Sequence, residues 1–364
     1  MRIGIIGGGQ LGRMLAVAGI PLGLEFTFLD PGDTPCATAL GQHVRAAFDD
    51  VEALQTLRDT HDAVTFEFEN VPAVALAAAN AANLHPPVDA LLAAQDRDRE
   101  KSLFEQISLP VAPWRSVNDQ AALEAAVADL GLPLIAKTRT LGYDGKGQKR
   151  LREEVDVTGA FEALGGVPLL VERLVDFDYE LSIVGTRAQD GAMVIYPMTR
   201  NTHINGILHR SERMDVKQDL RRQAHRHLTS LAEALDYVGT LALECFVCDN
   251  LLLGNEFAPR VHNTGHWSID GTSCSQFENH VRAVAGLPLG RELYAHPAGM
   301  LNLVGALPEA SSVLGQPGCF WHDYGKSPRA GRKLGHINVI GSTQSQVTER
   351  LDMLERELGL IPAT

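Results

Sequence analysis

Cysteine is scarce in this chain. Five thiols in 364 residues cannot form the disulfide framework of a small secreted domain. Aromatic residues make up only 6% of the sequence, and no apolar run approaches the roughly 18 residues a membrane-spanning helix requires. Lysine and arginine form no block against a net charge of -13, which argues against non-specific binding to nucleic acid. A phosphorylated substrate stays possible, because a few local cations can override a global sign. The opening MRIGIIGGGQLG is short, glycine-rich and begins a strand, unlike a secretory leader. A reducing cytoplasm, with no membrane and no nucleic-acid partner, fits this pattern.

What is present is core-forming material: 45% hydrophobic residues at a mean hydropathy of -0.05, in a length that suggests two or three domains. Residues 1–94 alternate strands and helices, with strands expected at Arg2–Ile6, Leu24–Leu29 and Ala63–Phe68, a helix starting at Arg13 and another near Ala73–Asn83. That alternation indicates a Rossmann-like parallel sheet with crossover helices. Residues 95–185 begin with the charged helix QDRDREKSLFEQI and a helix over Asp119–Leu130, then a strand over Leu134–Thr138, a glycine loop over Gly142–Gly147 and a strand over Leu169–Leu174. Residues 186–364 alternate strands, a long helix over Asp219–Leu235 and glycine-rich turns, closing on a helix over 344–358. The fold class is therefore α/β in the first unit and α+β beyond it.

Residues 244–282 carry the densest chemistry. Glu244 lies on one apolar run, Asp249-Asn250 signals a turn, and the next run ends in Asn255-Glu256. Two carboxylates and an amide oxygen are hard ligands of the kind Mg²⁺ takes alongside nucleotide phosphates. A three-residue turn would pair Glu244 with Glu256 directly. A two-residue turn would pair Glu244 with Asn255 and turn Glu256 to the other face unless a bulge intervened. Arg260, His262, Asn263 and His266 follow, suited to anions and protons. Cys245 and Cys248 form a lone CxxC whose spacing on a strand points the thiols apart, so they read as plain thiols. A hairpin edge with solvated acids is the bland alternative for the glutamates.

Other motifs are individually weaker. Gly7-x-Gly9-x-x-Gly12 with Asp30 matches the dinucleotide fingerprint, yet its physical content is only close approach of backbone amides to an anion; Gln10 and Leu11 could contact a sugar phosphate there. Lys137 leaves a buried strand just before the glycine loop, as a phosphate clamp would. Glu172-Arg173-Leu174-Val175 followed by Glu180 has the form of an adenine-binding linker with a ribose carboxylate, although the pattern is common and by itself reads first as ordinary strand-end charge. Glu67 and Glu69 alternate with phenylalanines and are expected on one strand face, at the end where open α/β sheets bind ligands. Lys326, Arg329, Arg332 and Lys333 form a basic loop in an acidic protein.

Taken together, GGGQLGRML, the Asp96–Lys101 spacing, GYDGKGQ, NEFAPRVHNTGHW, SQFENHVRAV and GRKLGH resemble the ATP-grasp superfamily. More narrowly they resemble its N5-carboxyaminoimidazole ribonucleotide synthetases, in family order over nearly the whole chain. Val261 departs from the proline of many relatives. The resemblance implies an ATP-grasp fold behind a Rossmann-like domain, ATP and Mg²⁺ as cofactors, 5-aminoimidazole ribonucleotide and bicarbonate as substrates, and a homodimer. It implies ATP binding by Arg97, Lys137, Gly142, Tyr143, Asp144, Gly145, Lys146, Gly147, Gln148, Glu172, Arg173, Leu174, Val175, Glu180, His203, Asn255 and Glu256, with the glycine loop as a lid. Glu244 and Glu256 would hold the metal. Gln10, Leu11, Glu67, Tyr143, Asp144, His262, Asn263, Lys326, Arg332 and Lys333 would bind the ribonucleotide, and Arg260, His262, Asp144 and Lys326 would take part in the chemistry, Arg260 beside bicarbonate. Two rivals remain at this point: a formate-using ATP-grasp transformylase acting on glycinamide ribonucleotide, and a nicotinamide-linked dehydrogenase that would use only the first thirty or so residues.

Overall fold

The computed structural model describes residues 1–79, 83–142, 147–290 and 296–360. Among these the strands form three sheets. The first is parallel, ordered β3-β2-β1-β4, from β1 (Arg2–Ile6), β2 (Glu25–Leu29), β3 (Gln42–Val44) and β4 (Ala63–Phe66). β1 is buried along four consecutive residues, as a strand covered on both faces must be. The helix Gln10–Gly19 starts three residues earlier than the sequence suggested, because Gly9 caps it through backbone alone and Gln10 and Leu11 enter the first turn.

The second sheet is antiparallel, ordered β5-β8-β6-β7, from β5 (Trp114–Val117), β6 (Leu134–Thr138), β7 (Gln148–Leu151) and β8 (Leu169–Arg173). Its covering helix Gln120–Leu130 is capped by the Asp119 carboxylate on the Ala122 amide at 2.7 Å and stops at Gly131, whose φ of 73° favours glycine. The third sheet runs β14-β13-β9-β11-β12-β15-β17-β16, with β10 on β9. Its strands are β9 (Tyr179–Arg187), β10 (Met193–Ile195), β11 (Thr199–Ile204), β12 (Ile207–Arg213), β13 (Gly239–Cys248), β14 (Leu251–Ala258), β15 (Ala298–Val304), β16 (Cys319–Asp323) and β17 (Lys333–Ile340). The boundary expected at residue 185 therefore falls inside β9; the passage from second to third sheet lies between Arg173 and Tyr179.

Packing joins the first and third units directly. The helix Gln276–Val284 presents Phe277, Val281 and Val284 to a cluster that includes Ile3, Ile5, Leu15 and Ala16 of the first unit. His280 of that helix bridges the two, with Nδ1 accepting from the Thr240 amide at 3.0 Å and Nε2 against the Thr65 hydroxyl at 2.9 Å. Burial holds this imidazole neutral, at about 3. Each fully buried leucine or isoleucine of these clusters contributes about 1.5–3 kcal/mol. All five cysteines are free, and no helix among the described residues is long and apolar enough to cross a membrane.

The β13–β14 hairpin decides the site. Its turn has two residues, Asp249 and Asn250, at φ 50° and 63°, the left-handed pair that matches strand twist. Cys248 pairs with Leu251 and the ladder runs to Cys245 opposite Gly254; there it shifts, and Glu244 faces Glu256. Asn255 is the extra residue of a β-bulge. Replacing Asn250 by valine puts a β-branched side chain at positive φ and should lower stability by about 1–2 kcal/mol. Asn250→Gly should stay within about 0.5 kcal/mol of wild type. Denaturant midpoints of the two variants measure this, and an unaffected valine variant would contradict the turn.

Candidate active site

The first surprise lies in the glycine fingerprint. β4 ends at Phe66, so Glu67 and Glu69 do not share a strand face; the chain turns and sends them to different partners. The Glu67 carboxylate enters the glycine loop and accepts from the amides of Gly9 and, at 2.7 Å, Gly12. A Cβ on Gly9 would meet Glu67 Oε1 at 2.6 Å, and Gly7, at φ 105°, would meet the same side chain. The anion that this loop holds is thus the protein's own. Asp30, the expected ribose acid, is also committed, to the amides of Gly8 at 2.8 Å and Gly32 at 2.7 Å. A dinucleotide pyrophosphate has no place left at this helix end. Burial raises the Glu67 carboxyl above its usual range, against the pull of the two amides and of Lys326.

Lys326 reaches back across the whole sequence to the Gln10 side-chain oxygen, so the basic loop and the first helix meet as expected. Arg332 bonds the Ser327 carbonyl at 3.2 Å, within electrostatic range of Lys326. Lys333 lies near enough to His203 and His266 to act on both. Leu11 is buried in the first helix.

Four carboxylates near the bulge each meet a base. Glu69 binds Arg260 through both carboxylate oxygens, Nη2 to Oε1 at 2.9 Å; burial alone would raise it, and the guanidinium reverses this and holds Glu69 at about 2. Glu244 meets His262 Nε2 at 3.0 Å and is likewise held at about 2, burial being outweighed by His262, His203 and Arg260. His262 is oriented by Thr264, whose hydroxyl lies 2.8 Å from Nδ1, and by Gln276 on its backbone. Glu256 meets Arg97 at 3.1 Å. Glu180 lies against His203 Nδ1, and although burial opposes it, this carboxylate raises the His203 pKa. Asn263 and Asn302 exchange amide hydrogen bonds at 3.0 and 2.7 Å.

The nucleotide residues divide. Lys137 is buried and bonded to Glu172, and burial lowers its pKa. Glu172, expected at the start of an adenine-binding linker, is sandwiched between Lys137 and Lys101, the latter at 2.9 Å; burial notwithstanding, the two ammonium groups hold it at about 2. Arg173 turns away: its guanidinium bonds the Leu130 carbonyl at 2.9 Å and its amide the Pro113 carbonyl. The Leu174 amide is taken by Pro133, and Val175 follows, half-buried. Gly147 and Gln148 flank the start of β7, the Gly147 carbonyl accepting from Thr138. Leu141 and Gly142 precede the loop, and Tyr143, Asp144, Gly145 and Lys146, with the lid expected there, lie outside the described residues.

Sequence reasoning misses several participants. It picks out Glu69, but not as the clamp on Arg260. Lys101 and Glu100 enter it only as part of a spacing, and Asp96, which grips Arg139 at 3.0 and 2.6 Å just before the glycine loop, only as the first member of that spacing. The i, i+3 and i+4 spacing of Arg97, Glu100 and Lys101 places them on one helix face, but the same spacing marks an ordinary solvated face and does not reveal the docking.

Among the described residues no group of three or more histidine, cysteine, aspartate or glutamate side chains forms a metal cluster. Glu244 and Glu256 nonetheless face each other across the bulge, and the buried Asn255 Oδ1 beside them has no hydrogen-bond partner. Two carboxylates and an orphaned amide oxygen fit a hard cation that draws its remaining ligands from a nucleotide.

Comparison with known proteins accords with this geometry. The ATP-grasp domain family matches residues 102–277, the ribonucleotide synthetase preATP-grasp domain residues 1–95, and the phosphoribosylaminoimidazole carboxylase C-terminal domain residues 298–350. The N5-carboxyaminoimidazole ribonucleotide synthase of Pseudomonas aeruginosa is 48% identical over 356 residues, covering 98% of this chain and 99% of that protein. The chain belongs to the N5-carboxyaminoimidazole ribonucleotide synthase family. The crystal structure of the Thermus thermophilus synthetase matches with a TM-score of 0.94 at 43% identity over 100% of both chains. The Aspergillus clavatus synthase, solved in complex with ADP and 5-aminoimidazole ribonucleotide, matches with a TM-score of 0.90 at 30% identity over 99% of both. The fold is ATP-grasp, preceded by a parallel-sheet domain, and the enzyme is an ATP-binding ligase. The dehydrogenase reading ends here, with Glu67 in the glycine loop as its physical refutation.

Glu69 sits far below the ordinary carboxylate range of about 4.5, so its pairing with Arg260 stabilises the fold above that range and the contribution is lost as pH falls toward 2. Glu69→Gln should therefore be less stable than wild type near pH 7, with the gap narrowing below about pH 4.5 and closing only near pH 2. Denaturant titrations across that range measure the gap, and one that stays constant would contradict the pairing.

Proposed function

We propose that this enzyme uses ATP and bicarbonate to carboxylate the exocyclic amine of 5-aminoimidazole ribonucleotide, giving N5-carboxyaminoimidazole ribonucleotide in the cytoplasmic synthesis of purines. A bicarbonate oxygen attacks the γ-phosphorus of ATP, and ADP leaves as carboxyphosphate forms. The amine then attacks the carboxyl carbon, or CO₂ released from it; the C–N bond forms, phosphate departs and the amine gives up a proton. The observation that carries this reading is the bulge that sets Glu244 opposite Glu256 beside the unpartnered Asn255 oxygen.

Each residue has work to do in this scheme. Glu244, Glu256 and Asn255 would hold Mg²⁺, which when bound neutralises charge on the transferring phosphoryl group. Lys137 and Arg97 supply fixed positive charge on the same side of the cleft, already oriented by Glu172 and Glu256. Arg260, buried and held by Glu69, offers its remaining donors to bicarbonate and carboxyphosphate. His262, with Glu244 on Nε2, takes the proton leaving the amine. Lys326, Arg332 and Lys333 would bind the ribonucleotide's phosphate together with Gln10 and Leu11, and Asp144 and Tyr143 would contribute to the same substrate. Three residue groups from the two ends and the middle of the chain thus build one site, and two such chains form the dimer.

The acceptor distinguishes this reading from formyl transfer to glycinamide ribonucleotide. ADP release measured with each component omitted in turn should require both bicarbonate and 5-aminoimidazole ribonucleotide, and formate with glycinamide ribonucleotide should not replace them. Glu244→Gln and Glu256→Gln should each abolish Mg-ATP turnover while the far-ultraviolet spectrum stays that of wild type. Arg332→Ala should raise the KM for the ribonucleotide about thirtyfold, the equivalent of about 2 kcal/mol for one charged contact to phosphate, and leave that for ATP nearly unchanged. A rise in the KM for ATP instead would assign the basic loop to the nucleotide.

A further inference from the structure

Lys101 carries no role in the scheme above, yet it is 2% exposed and its ammonium makes three contacts. It bonds the carbonyls of Gly254 at 3.3 Å and Asn255 at 3.0 Å, and the Glu172 carboxylate at 2.9 Å. A lysine has three donors, and all are used here. Two of the acceptors are backbone groups of the β13–β14 bulge, which leaves the ladder locally without its regular hydrogen bonds. The third acceptor is the carboxylate that also holds Lys137.

The neighbours of Lys101 on the helix Arg97–Gln106 face the same way. Arg97 takes the Glu256 carboxylate at 3.1 Å, and Glu100, fully buried, accepts from the Phe257 amide at 2.7 Å. Spaced at i, i+3 and i+4, these three side chains share one helix face. That face holds four consecutive residues of β14, from Gly254 to Phe257. The helix N-terminus is itself fixed, since Asp96 grips Arg139 and the Arg97 amide bonds the Arg139 carbonyl at 3.0 Å. One helix therefore ties the strand that carries Lys137 to the strand that carries Glu256.

We propose that Lys101 is a positioning residue for Mg-nucleotide: it pins the Asn255 bulge, so that Glu256 stays opposite Glu244, and it shares Glu172 with Lys137, so that both cationic and anionic sides of the nucleotide site keep one spacing. This rests on the reading of Glu244, Glu256 and Asn255 as the metal end of the site. Without the Lys101 ammonium, two buried carbonyls and part of a buried carboxylate lose their donor. The bulge is then free to slip toward the regular two-residue-turn register, in which Glu256 faces away. The ribonucleotide end, built from Gln10, Lys326 and Arg332, shares no bond with Lys101 and should not respond.

Steady-state kinetics and equilibrium binding of Mn²⁺-ADP, which needs no turnover, test this in the full-length enzyme with Lys101→Met, Lys101→Arg and Glu256→Gln. Lys101→Met should weaken Mn²⁺-ADP binding about tenfold, and unchanged binding would overturn the proposal. Lys101→Met should raise both the KM for Mg-ATP and the Mg²⁺ concentration for half-maximal rate by about tenfold or more, the loss of one charged hydrogen-bonding group. The KM for 5-aminoimidazole ribonucleotide should stay within about twofold. Lys101→Arg keeps the charge but not the compact three-donor geometry, and its KM for Mg-ATP should fall between wild type and the methionine variant. If Lys101→Met does not fold, the arginine variant decides alone, and a wild-type KM and Mg²⁺ dependence there would overturn the proposal. A methionine variant unchanged in Mg-ATP kinetics, beside an inactive Glu256→Gln, overturns the role of Lys101 and leaves the metal reading standing. Glu256→Gln with wild-type turnover and Mg²⁺ dependence removes the metal reading itself, and the proposal with it. Equal rises in both KM values would make Lys101 merely structural and also overturn it.

Discussion

The ladder between Gly239–Cys248 and Leu251–Ala258 carries one residue too many on its second strand, and the catalytic cleft depends on it. The two-residue turn at Asp249-Asn250 sets a register in which side chains at positions 244 and 256 would fall on opposite faces. Asn255 absorbs the mismatch. Everything at the nucleotide end follows from that shift: Glu244 and Glu256 face each other, the Asn255 amide oxygen is left buried without a partner, and the docked face of the helix Arg97–Gln106 supplies the bonds that the interrupted ladder cannot.

Around the bulge lies a set of ion pairs, buried at Glu172 and partly exposed at Glu256 and Glu69, in a protein of net charge -13. Glu69 pairs with Arg260, Glu244 with His262, Glu256 with Arg97 and Glu172 with two lysines. Breaking such a pair is costly because it leaves a desolvated charge without its partner, even where replacing both partners would not be. Their use is orientation: cations already locked in place need not reorganise when phosphoryl charge develops. Glu67 is the same idea applied to the first domain, where a carboxylate of the chain takes the amides that other proteins with this loop offer to a dinucleotide.

Local pattern carried much of the fold. The buried run of β1, the helix capped by Asp119 and ended by Gly131, and β6 over Leu134–Thr138 all stood in the sequence, because each obeys a short-range rule of period, cap or breaker. The family motifs likewise put Arg260, His262, Lys326 and Arg97 in view. What escaped is what depends on distance. Nothing in GGGQLG tells whether its anion will be a bound phosphate or a carboxylate 58 residues away. Neither the bulge nor the pairing of Glu69 with Arg260 has a local signature, since both are set by how strands from different units meet. The ion pairs of Glu172 stayed out of view for the same reason: its two lysines come from another strand and from a helix docked across the sheet.

The most direct test of the bulged ladder as a metal site is anomalous diffraction from crystals of the enzyme grown with Mn²⁺ in place of Mg²⁺ and a non-hydrolysable ATP analogue. The geometry predicts a manganese peak within roughly 2.0–2.6 Å of oxygens from both Glu244 and Glu256, with the His262 and Arg97 contacts loosened to admit it. Manganese bound to the nucleotide but away from both carboxylates, with their ion pairs intact, would contradict it.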